Sequence, residues 1–181
     1  METLDRQWIL TRVDGKVSSI ALDYRHFAAI ARSIAASNPA LVDRIETEKI
    51  PSWRLQELKK TLSWDDLRLF GTKFQLSVWQ NLFSIEPRLY SYTEFAALCG
   101  NPQGVRPVAH AVGLNPVAYV IPCHLIVPKE SMDKARTIRQ SAESTLFKGS
   151  DLYLLDTLDV GEFAYGPDVK RELIKMQLAD E

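Results

Sequence analysis

The sequence predicts a mixed α/β (α+β) protein in two parts. A small N-terminal α/β domain with an antiparallel hairpin should cover residues 1–69, and a mainly helical domain should cover residues 70–181. Three observations favour this class. Apolar and polar residues alternate around Asp14-Gly15, and apolar residues recur at helical spacing between breaks that contain Gly or Pro. The length of the chain also allows two parts. With 181 residues, 46% of them apolar, the chain can bury one sizeable core or two small ones.

The N-terminal domain begins with the predicted hairpin. Trp8–Val13 and Lys16–Leu22 flank Asp14-Gly15, a dipeptide suited to a two-residue turn in which both residues have positive φ angles. Tyr24–Ala36 has apolar residues at helical spacing, and Ser37-Asn38-Pro39 should end that helix.

Two further elements complete this domain. Pro51 can open a short helix that continues through Leu55 and Leu58 to Leu62. The stretch 67–70 is predicted as a strand or as the link to the next domain. We find no motif that carries chemistry in this domain.

The second domain begins with three predicted helices. Thr72 is a suitable N-cap for a helix that contains Val78 and Trp79. Tyr92–Leu98 should form the second helix, and Val105–Gly113 the third, after a turn rich in glycine. Two short helices joined in this way have the outline of a DNA-binding helix-turn-helix, although an ordinary helical hairpin has the same outline.

The remaining elements surround and follow a cysteine. Val117–Ile121 predicts a short strand that leads to Pro122-Cys123-His124. Ser131–Lys148 predicts an amphipathic helix, Asp151–Val160 a strand or loop, and Lys170–Leu178 a closing helix.

Cys123 is the candidate nucleophile, because a thiolate attacks and a neighbouring imidazole can take its proton. A thiol hydrolase that uses Cys123 and His124 is one alternative. It is disfavoured if both residues lie on a strand, where adjacent side chains point to opposite faces. Cys99, with apolar neighbours at a helix end, is interpreted as a structural thiol.

Composition limits the function classes. The net charge is −1, so there is no global basic field, and any DNA binding must depend on local geometry. Two cysteines are too few for a disulfide scaffold, which favours a reducing compartment. No apolar run has membrane-spanning length, and the N-terminus lacks the regions of a signal peptide. We expect a cytoplasmic monomer without a membrane partner, associated with the nucleoid if the protein is bacterial.

Several short motifs follow one another along the chain: Gly71-Thr72-Lys73-Phe74-Gln75, Ser91-Tyr92, Gly100-Asn101-Pro102, Val105-Arg106, Asn115-Pro116 and Ile121-Pro122-Cys123-His124. Taken in this order, they resemble the motifs of the O6-alkylguanine-DNA alkyltransferases, also called methylated-DNA–protein-cysteine methyltransferases. The resemblance is close over about residues 67–127 and resumes weakly at Gly161–Gly166 and Lys170-Arg171.

The resemblance implies a DNA repair protein that acts once. An alkylated guanine would be flipped out of double-stranded DNA, and its alkyl group, usually methyl, would pass irreversibly to Cys123. By the same resemblance, His124 would accept the thiol proton, Asn115 would lie at a hinge near the cysteine, and Gln177 stands where the family has a glutamate that orients the histidine. No metal or organic cofactor is required.

The resemblance also implies DNA contacts. Arg106 would fill the space left by the flipped base, and Tyr92 would help to rotate the nucleotide; a surface arginine and a core tyrosine are the structural alternatives. The small residues Gly104 and Ala109 would let the helix approach the DNA backbone. The expected substrate pocket is lined by Tyr92, Val112, Ile126, Phe163 and Ala164.

Three departures from the family pattern keep a second function open. Leu125 replaces an arginine, and Gln177 can accept a hydrogen bond but cannot stabilise an imidazolium by charge. The 36 residues from Leu125 to Val160 replace a much shorter link, and the insertion at about 128–160 could contact phosphates, cover the pocket, dock a protein or be passive. The alternative is an alkyltransferase-like protein that recognises alkylated bases with little or no transfer.

Overall fold

The structure, a computed structural model, describes residues 6–134 and 155–179. It confirms the mixed α/β class, with a small antiparallel sheet and several helices. The chain divides into two compact units, one formed by Met1–Phe83 and Leu114–Pro122 and the other by Ser84–Gly113 and Cys123–Glu181. The domain boundary between residues 69 and 70 stays a prediction, because packing units and sequence domains need not end at the same residue.

A three-stranded antiparallel sheet forms the centre of the first unit. Its strands are β1 (Gln7–Val13), β2 (Lys16–Ala21) and β3 (Ile45–Pro51), in the order β2-β1-β3. The hairpin prediction is confirmed: Asp14 and Gly15 have φ angles of 51° and 82°. The sequence analysis missed β3, because this edge strand exposes four consecutive residues, 46–49, and lacks an apolar alternation.

The described residues of this unit also form three α-helices, each predicted as a helix, although the sequence analysis assigned the third to the second domain. They are α1 (Arg25–Ser37), α2 (Ser52–Thr61) and α3 (Lys73–Phe83). Ile30 and Ile34 of α1 pack against Val13 in one apolar cluster. Helix α3 begins with a reciprocal cap, in which the Gln75 amide donates to Thr72 Oγ1 at 3.1 Å and the Thr72 amide donates to Gln75 Oε1 at 3.0 Å.

Two stretches of this unit were predicted as strands, 67–70 with a link as the alternative, and neither is a strand: the alternative holds for 67–70, and the prediction for 117–121 is wrong. The stretch 67–70 is a link, which contacts the sheet through one isolated bridge between Leu67 and Val17. The stretch 117–121 is a buried turn that includes Tyr119 at a φ angle of 69°, and it forms only a bridge between Val117 and Ile20. Its residues are apolar because they are buried, and a buried turn can have the same apolar residues as a buried strand.

The described residues of the second unit form two short strands and, besides the helical residues 129–134, three helices. Strands β4 (Tyr90–Ser91) and β5 (Ile126–Val127) pair in parallel. The helices are α4 (Tyr92–Leu98), α5 (Val105–Gly113) and α6 (Pro167–Ala179), so all three helix predictions are confirmed, whereas a DNA-binding role for α4 and α5 stays a prediction. The apolar core consists of Leu89, Leu125, Val127, Leu155, Val160, Ile174 and Leu178.

The insertion is described only at its ends. Residues 129–134 are helical, and the rest of the predicted helix Ser131–Lys148 lies outside the described residues. From 155 to 160 the chain makes a helical turn and a loop, so the described part of Asp151–Val160 is not a strand. Among residues 6–134 and 155–179, no helix is long and apolar enough to cross a membrane.

Candidate functional site

Cys123 opens a 3₁₀ turn, Cys123–Leu125, that connects directly to β5. Its side chain is only 9% exposed, and Pro122 precedes it. Because Cys123 and His124 lie in a turn rather than on a strand, the argument from alternating strand faces against a thiol hydrolase does not apply. The turn places the candidate nucleophile and the candidate base in neighbouring positions of the second unit.

His124 contacts Gln177 in the interior of this unit. The two side chains are 0% and 5% exposed, and His124 Nε2 lies 2.5 Å from Gln177 Oε1 on α6. An amide oxygen only accepts hydrogen bonds, so the imidazole donates through Nε2, and in its neutral form Nδ1 keeps the lone pair. Gln177 therefore orients the ring without adding charge.

Asn115 closes the turn that precedes Pro122 in the sequence. Its Nδ2 donates to the carbonyl of Ile121 at 2.7 Å, and its Oδ1 accepts from the amide of Val117 at 3.0 Å. Only a side chain with both a donor and an acceptor can hold this turn at both ends. This structural role is distinct from the predicted role of Asn115 near the thiol, which stays a prediction.

Tyr92 is the first residue of α4 and is partly buried. Burial raises the pKa of its phenol to about 12, and the nearby negative charges of Cys123, Glu162 and Asp159 act in the same direction. The phenol is therefore neutral at physiological pH and can donate a hydrogen bond.

Lys170 is a site residue that the sequence analysis did not identify. It is 1% exposed, and its Nζ donates to the carbonyl of Ile126 at 2.7 Å and to that of Glu162 at 3.4 Å. Nζ also lies 5.7 Å from the centre of the Tyr92 ring. The only signal in the sequence was the weak family match at Lys170-Arg171, since helix periodicity alone does not predict a buried lysine.

Three of the predicted DNA-contacting residues lie on α5 or directly before it. Arg106 is exposed, whereas Gly104 and Ala109 are half-buried. A Cβ atom at Gly104 would lie 2.1 Å from Nδ2 of Asn101. A side chain at 104 would therefore require the Asn101 side chain to move.

The predicted pocket residues differ in exposure. Val112 and Ile126 are 3% and 0% exposed and pack in the interior, whereas Ala164 is exposed. The Phe163 and Tyr165 rings meet edge to face with their centres 5.7 Å apart. That these residues line a substrate pocket stays a prediction.

Leu125 is fully buried in the apolar core of the second unit, beside Ile174 and Leu178. An arginine at this position would need a buried partner for its charge. Leu125, which stands where the family has an arginine, instead packs among apolar side chains. Among the described residues, no group of three or more His, Cys, Asp or Glu side chains is arranged to hold a metal ion.

Comparisons with known proteins identify relatives of this region. Residues 73–144 match the family model described as 6-O-methylguanine DNA methyltransferase, DNA binding domain. A probable methylated-DNA–protein-cysteine methyltransferase of Acanthamoeba polyphaga mimivirus is 46% identical over 69 residues, which are 36% of this chain and 45% of the relative. The methylated-DNA–protein-cysteine methyltransferase of Haemophilus influenzae is 46% identical over 61 residues, 33% of this chain and 34% of the relative. The matches thus span less than half of either relative.

One solved structure shares the fold over most of the chain. The O6-methylguanine-DNA methyltransferase from Pyrococcus kodakaraensis strain KOD1 is similar with a TM-score of 0.52, over 94% of this chain and 91% of that one. At 17% identity, this similarity shows the fold alone.

Proposed function

Because this chain belongs to the O6-alkylguanine-DNA alkyltransferase family, we propose that it repairs DNA by moving an alkyl group, usually methyl, from O6 of guanine to Cys123. The observation that carries this proposal is the Cys123–His124 turn, which lies inside the matched residues 73–144 and whose imidazole is bonded to Gln177. The DNA partner and the activity belong to the proposal, as does a cytoplasmic or nucleoid location.

The chemistry is a single displacement. His124 takes the thiol proton, the sulfur of Cys123 forms a bond to the alkyl carbon, and the bond from that carbon to O6 breaks. The electron pair stays on the guanine, which then gains a proton. The thioether is stable, so each molecule acts once.

The base must leave the duplex before it can react. Arg106 is exposed at the start of α5, where a guanidinium can stack and donate hydrogen bonds in the space of the flipped base. Tyr92 begins α4 and supplies a neutral phenol that can press against the phosphate of the flipped nucleotide. Gly104 and Ala109 keep the helix surface small where DNA would approach.

A second candidate is a recognition protein that binds alkylated DNA without transfer. Gln177 favours it, because a neutral amide cannot stabilise the imidazolium that forms when His124 takes the proton. Cys123 favours the transferase, because recognition alone needs no nucleophile. A thiol hydrolase ranks third, since the family resemblance gives it no support.

The test uses a DNA duplex with a single O6-methylguanine. After incubation and digestion, the peptide that contains Cys123 should carry one methyl group by mass spectrometry, and Cys123→Ala should abolish the adduct while binding persists. Tight binding without an adduct would favour the recognition protein. Neither binding nor an adduct would overturn both candidates.

Arg106→Ala tests the flipping step in the same assay. We expect the transfer rate to fall about tenfold, equivalent to about 1.4 kcal/mol of lost transition-state stabilisation. Arg32→Ala, which removes another exposed helical arginine in the first unit, is the matched control. Equal rates for Arg106→Ala and the control would remove Arg106 from the proposed mechanism.

A further inference from the structure

We propose that the first unit holds a binding site for a small uncharged aromatic heterocycle, in a cavity between helices α1 and α3. The cavity has a volume of about 450 Å³, and the described residues that line it all belong to this unit. None of these lining residues is one of those predicted for alkyl transfer or DNA contact. The site is therefore additional to the proposed function.

One face of α1 forms the first wall of the cavity. His26, Ala29, Ile30 and Ser33 line it, and their spacing of three and four residues places them along one side of the helix. Ala29 and Ser33 have small side chains. This face therefore leaves a space that larger side chains at the same positions would fill.

The start of α3 and the link before it form the opposite wall. Phe70, Gly71 and Thr72 of the link line the cavity together with Gln75 and Trp79 of the helix. A Cβ atom at Gly71 would lie 2.8 Å from Cζ3 and Cη2 of Trp79, so glycine lets the backbone pass directly against the indole ring. This wall therefore combines two aromatic side chains with a hydroxyl and an amide.

Strand β2 and the stretch 114–118 complete the lining. Ser18, Leu114 and Pro116 contribute to it, and the amide of Ile20 on β2 donates to the Pro116 carbonyl at 2.9 Å. Leu114 is 42% exposed and Phe70 is partly exposed. A ligand that covers these side chains is stabilised by the burial of apolar surface.

Ser18 gives a second and independent indication of a ligand. Its side chain is 1% exposed, and among the described residues its Oγ has no hydrogen-bond partner. Ser18 also lies at a bulge between β1 and β2, because it is left out of their register. A buried hydroxyl without a partner is costly and rare in native proteins. A polar ligand atom beside Ser18 would supply the missing hydrogen bond.

The charges around the cavity favour an uncharged ligand. None of the described residues that line it is Asp, Glu, Lys or Arg. Burial lowers the pKa of His26, so its imidazole is neutral near neutral pH and offers one donor and one acceptor. Asp23 and Arg25, which precede it, pair with each other at 2.7 Å. An ionised ligand would lose hydration here without gaining a counter-charge.

The N-terminus of α3 does not change this preference. A free helix N-terminus attracts anions because its amides lack partners. Here the amides of Thr72 and Gln75 are already bonded within the reciprocal cap. A phosphate or carboxylate would therefore find neither a cation in the lining nor these two amides.

The size and the lining of the cavity together define the ligand. Small-molecule sites have volumes of roughly 300–1,000 Å³ and combine apolar walls with a few polar groups. Aromatic side chains such as Phe70 and Trp79 favour a flat ring as their partner. The hydroxyls of Ser18 and Ser33 and the imidazole of His26 favour a ring whose edge both donates and accepts hydrogen bonds. An uncharged nitrogen heterocycle has these properties, whereas a cavity that holds water alone predicts no saturable binding.

The test is an NMR titration of histidine-labelled protein at about pH 7.5, where the imidazole of His26 is neutral. Nicotinamide and adenine are the probes, and the ring resonance of His26 is assigned with His26→Gln. We expect a saturable shift with a Kd of about 1 mM or tighter, while His110 on α5 stays unchanged. Nicotinate, which has the shape of nicotinamide and carries a negative charge, should bind about tenfold more weakly.

Ala29→Leu tests where the heterocycle binds. The larger side chain should fill the cavity and weaken nicotinamide binding about tenfold. Ala28→Leu is the matched control, because Ala28 is exposed on the same helix and is not among the lining residues. Ser18→Ala should weaken binding about fivefold, which corresponds to the loss of one hydrogen bond to the ligand.

The absence of a saturable shift at His26 with both neutral probes would overturn the proposal, and so would nicotinate binding as tight as that of nicotinamide. Equal affinities of Ala29→Leu and Ala28→Leu, or wild-type affinity in Ser18→Ala, would also overturn it. A shift of His124 in place of His26 would assign the heterocycle to the second unit and contradict the proposal. If Ala29→Leu fails to fold, Ser33→Leu, at an exposed position of the same wall, replaces it.

These measurements use neither DNA nor the thiol of Cys123. A protein that transfers no alkyl group can still bind the heterocycle, and the proposed function then fails alone. A protein that transfers the group but binds no heterocycle contradicts only the proposed cavity site.

Discussion

Gln177 illustrates at the residue scale how one side chain can preserve geometry while removing charge. Its Oε1 lies 2.5 Å from His124 Nε2, so the imidazole is held in one orientation. The two side chains are 5% and 0% exposed, and an ion pair there would be poorly screened. Charge at position 177 should therefore affect catalysis more than charge on the surface.

Gln177→Glu should accelerate alkyl transfer. A carboxylate beside the imidazole raises the pKa of His124, because an opposite charge within about 4–6 Å favours the protonated form by about 1–3 pKa units. We expect a transfer rate about tenfold higher at neutral pH, measured in single-turnover reactions with the methylated duplex.

Gln177→Leu is the control for that substitution, since it removes the hydrogen bond and adds no charge. It should slow transfer about fivefold, which corresponds to one hydrogen bond of about 1 kcal/mol. A glutamate variant that reacts no faster than the wild type would show that charge at 177 does not limit the reaction.

At the scale of a secondary-structure element, the N-terminus of helix α4 determines where the site residue Tyr92 lies. Ser91 is its N-cap, and the amide of Glu94 donates to Ser91 Oγ at 3.0 Å. Tyr92 is the next residue, so the start of this helix fixes where the phenol lies. A short helix depends strongly on its cap, because few hydrogen bonds support it.

Ser91→Ala should lower the free energy of unfolding by about 1 kcal/mol, the usual cost of losing an N-cap side chain. Chemical denaturation measures this loss, and transfer should slow as well because Tyr92 loses its support. Thr93→Ala, at an exposed position in the same turn, is the matched control. Equal losses in the two variants would contradict a specific role for the cap.

Several titrating groups shape the stability of the whole molecule over different pH ranges. Burial lowers the pKa of His26, whereas the hydrogen bond from Arg25 lowers that of Asp23. For His26 the unfolded chain binds the proton more tightly, so its stabilising contribution is present above pH 6.5 and is lost as the pH falls through its folded pKa. The contribution of Asp23 is lost only at lower pH, below its ordinary value of 3.8.

His26→Gln should therefore flatten the pH dependence of stability below pH 6.5. The measurement is urea unfolding at intervals between pH 4.5 and 7.5, where the wild type should lose stability steadily as the pH falls. His110→Gln, at an exposed histidine in α5, is the control. A wild-type slope retained in His26→Gln would contradict the assignment.

The sequence by itself determined the features that neighbouring residues control. The Asp14-Gly15 turn and the Thr72 cap were predictable because a turn or a cap depends on a few adjacent residues. The helical spacing of apolar residues was likewise sufficient to predict α1 and α6, because that spacing involves only residues that are close in the sequence. Cys123, His124 and the resemblance to the alkyltransferases were recognisable because those motifs have a fixed order and spacing.

Only the tertiary structure decided the features that depend on distant partners. Strand β3 exists because its backbone pairs with β1, although its exposed charged residues favour no strand. The stretch 117–121 turns because Asn115 bonds both its ends, whereas its apolar residues suited a strand equally well. Lys170 can be buried because its Nζ donates hydrogen bonds to the carbonyls of Ile126 and Glu162. Contacts between residues so far apart in the chain produce no periodic pattern in the sequence.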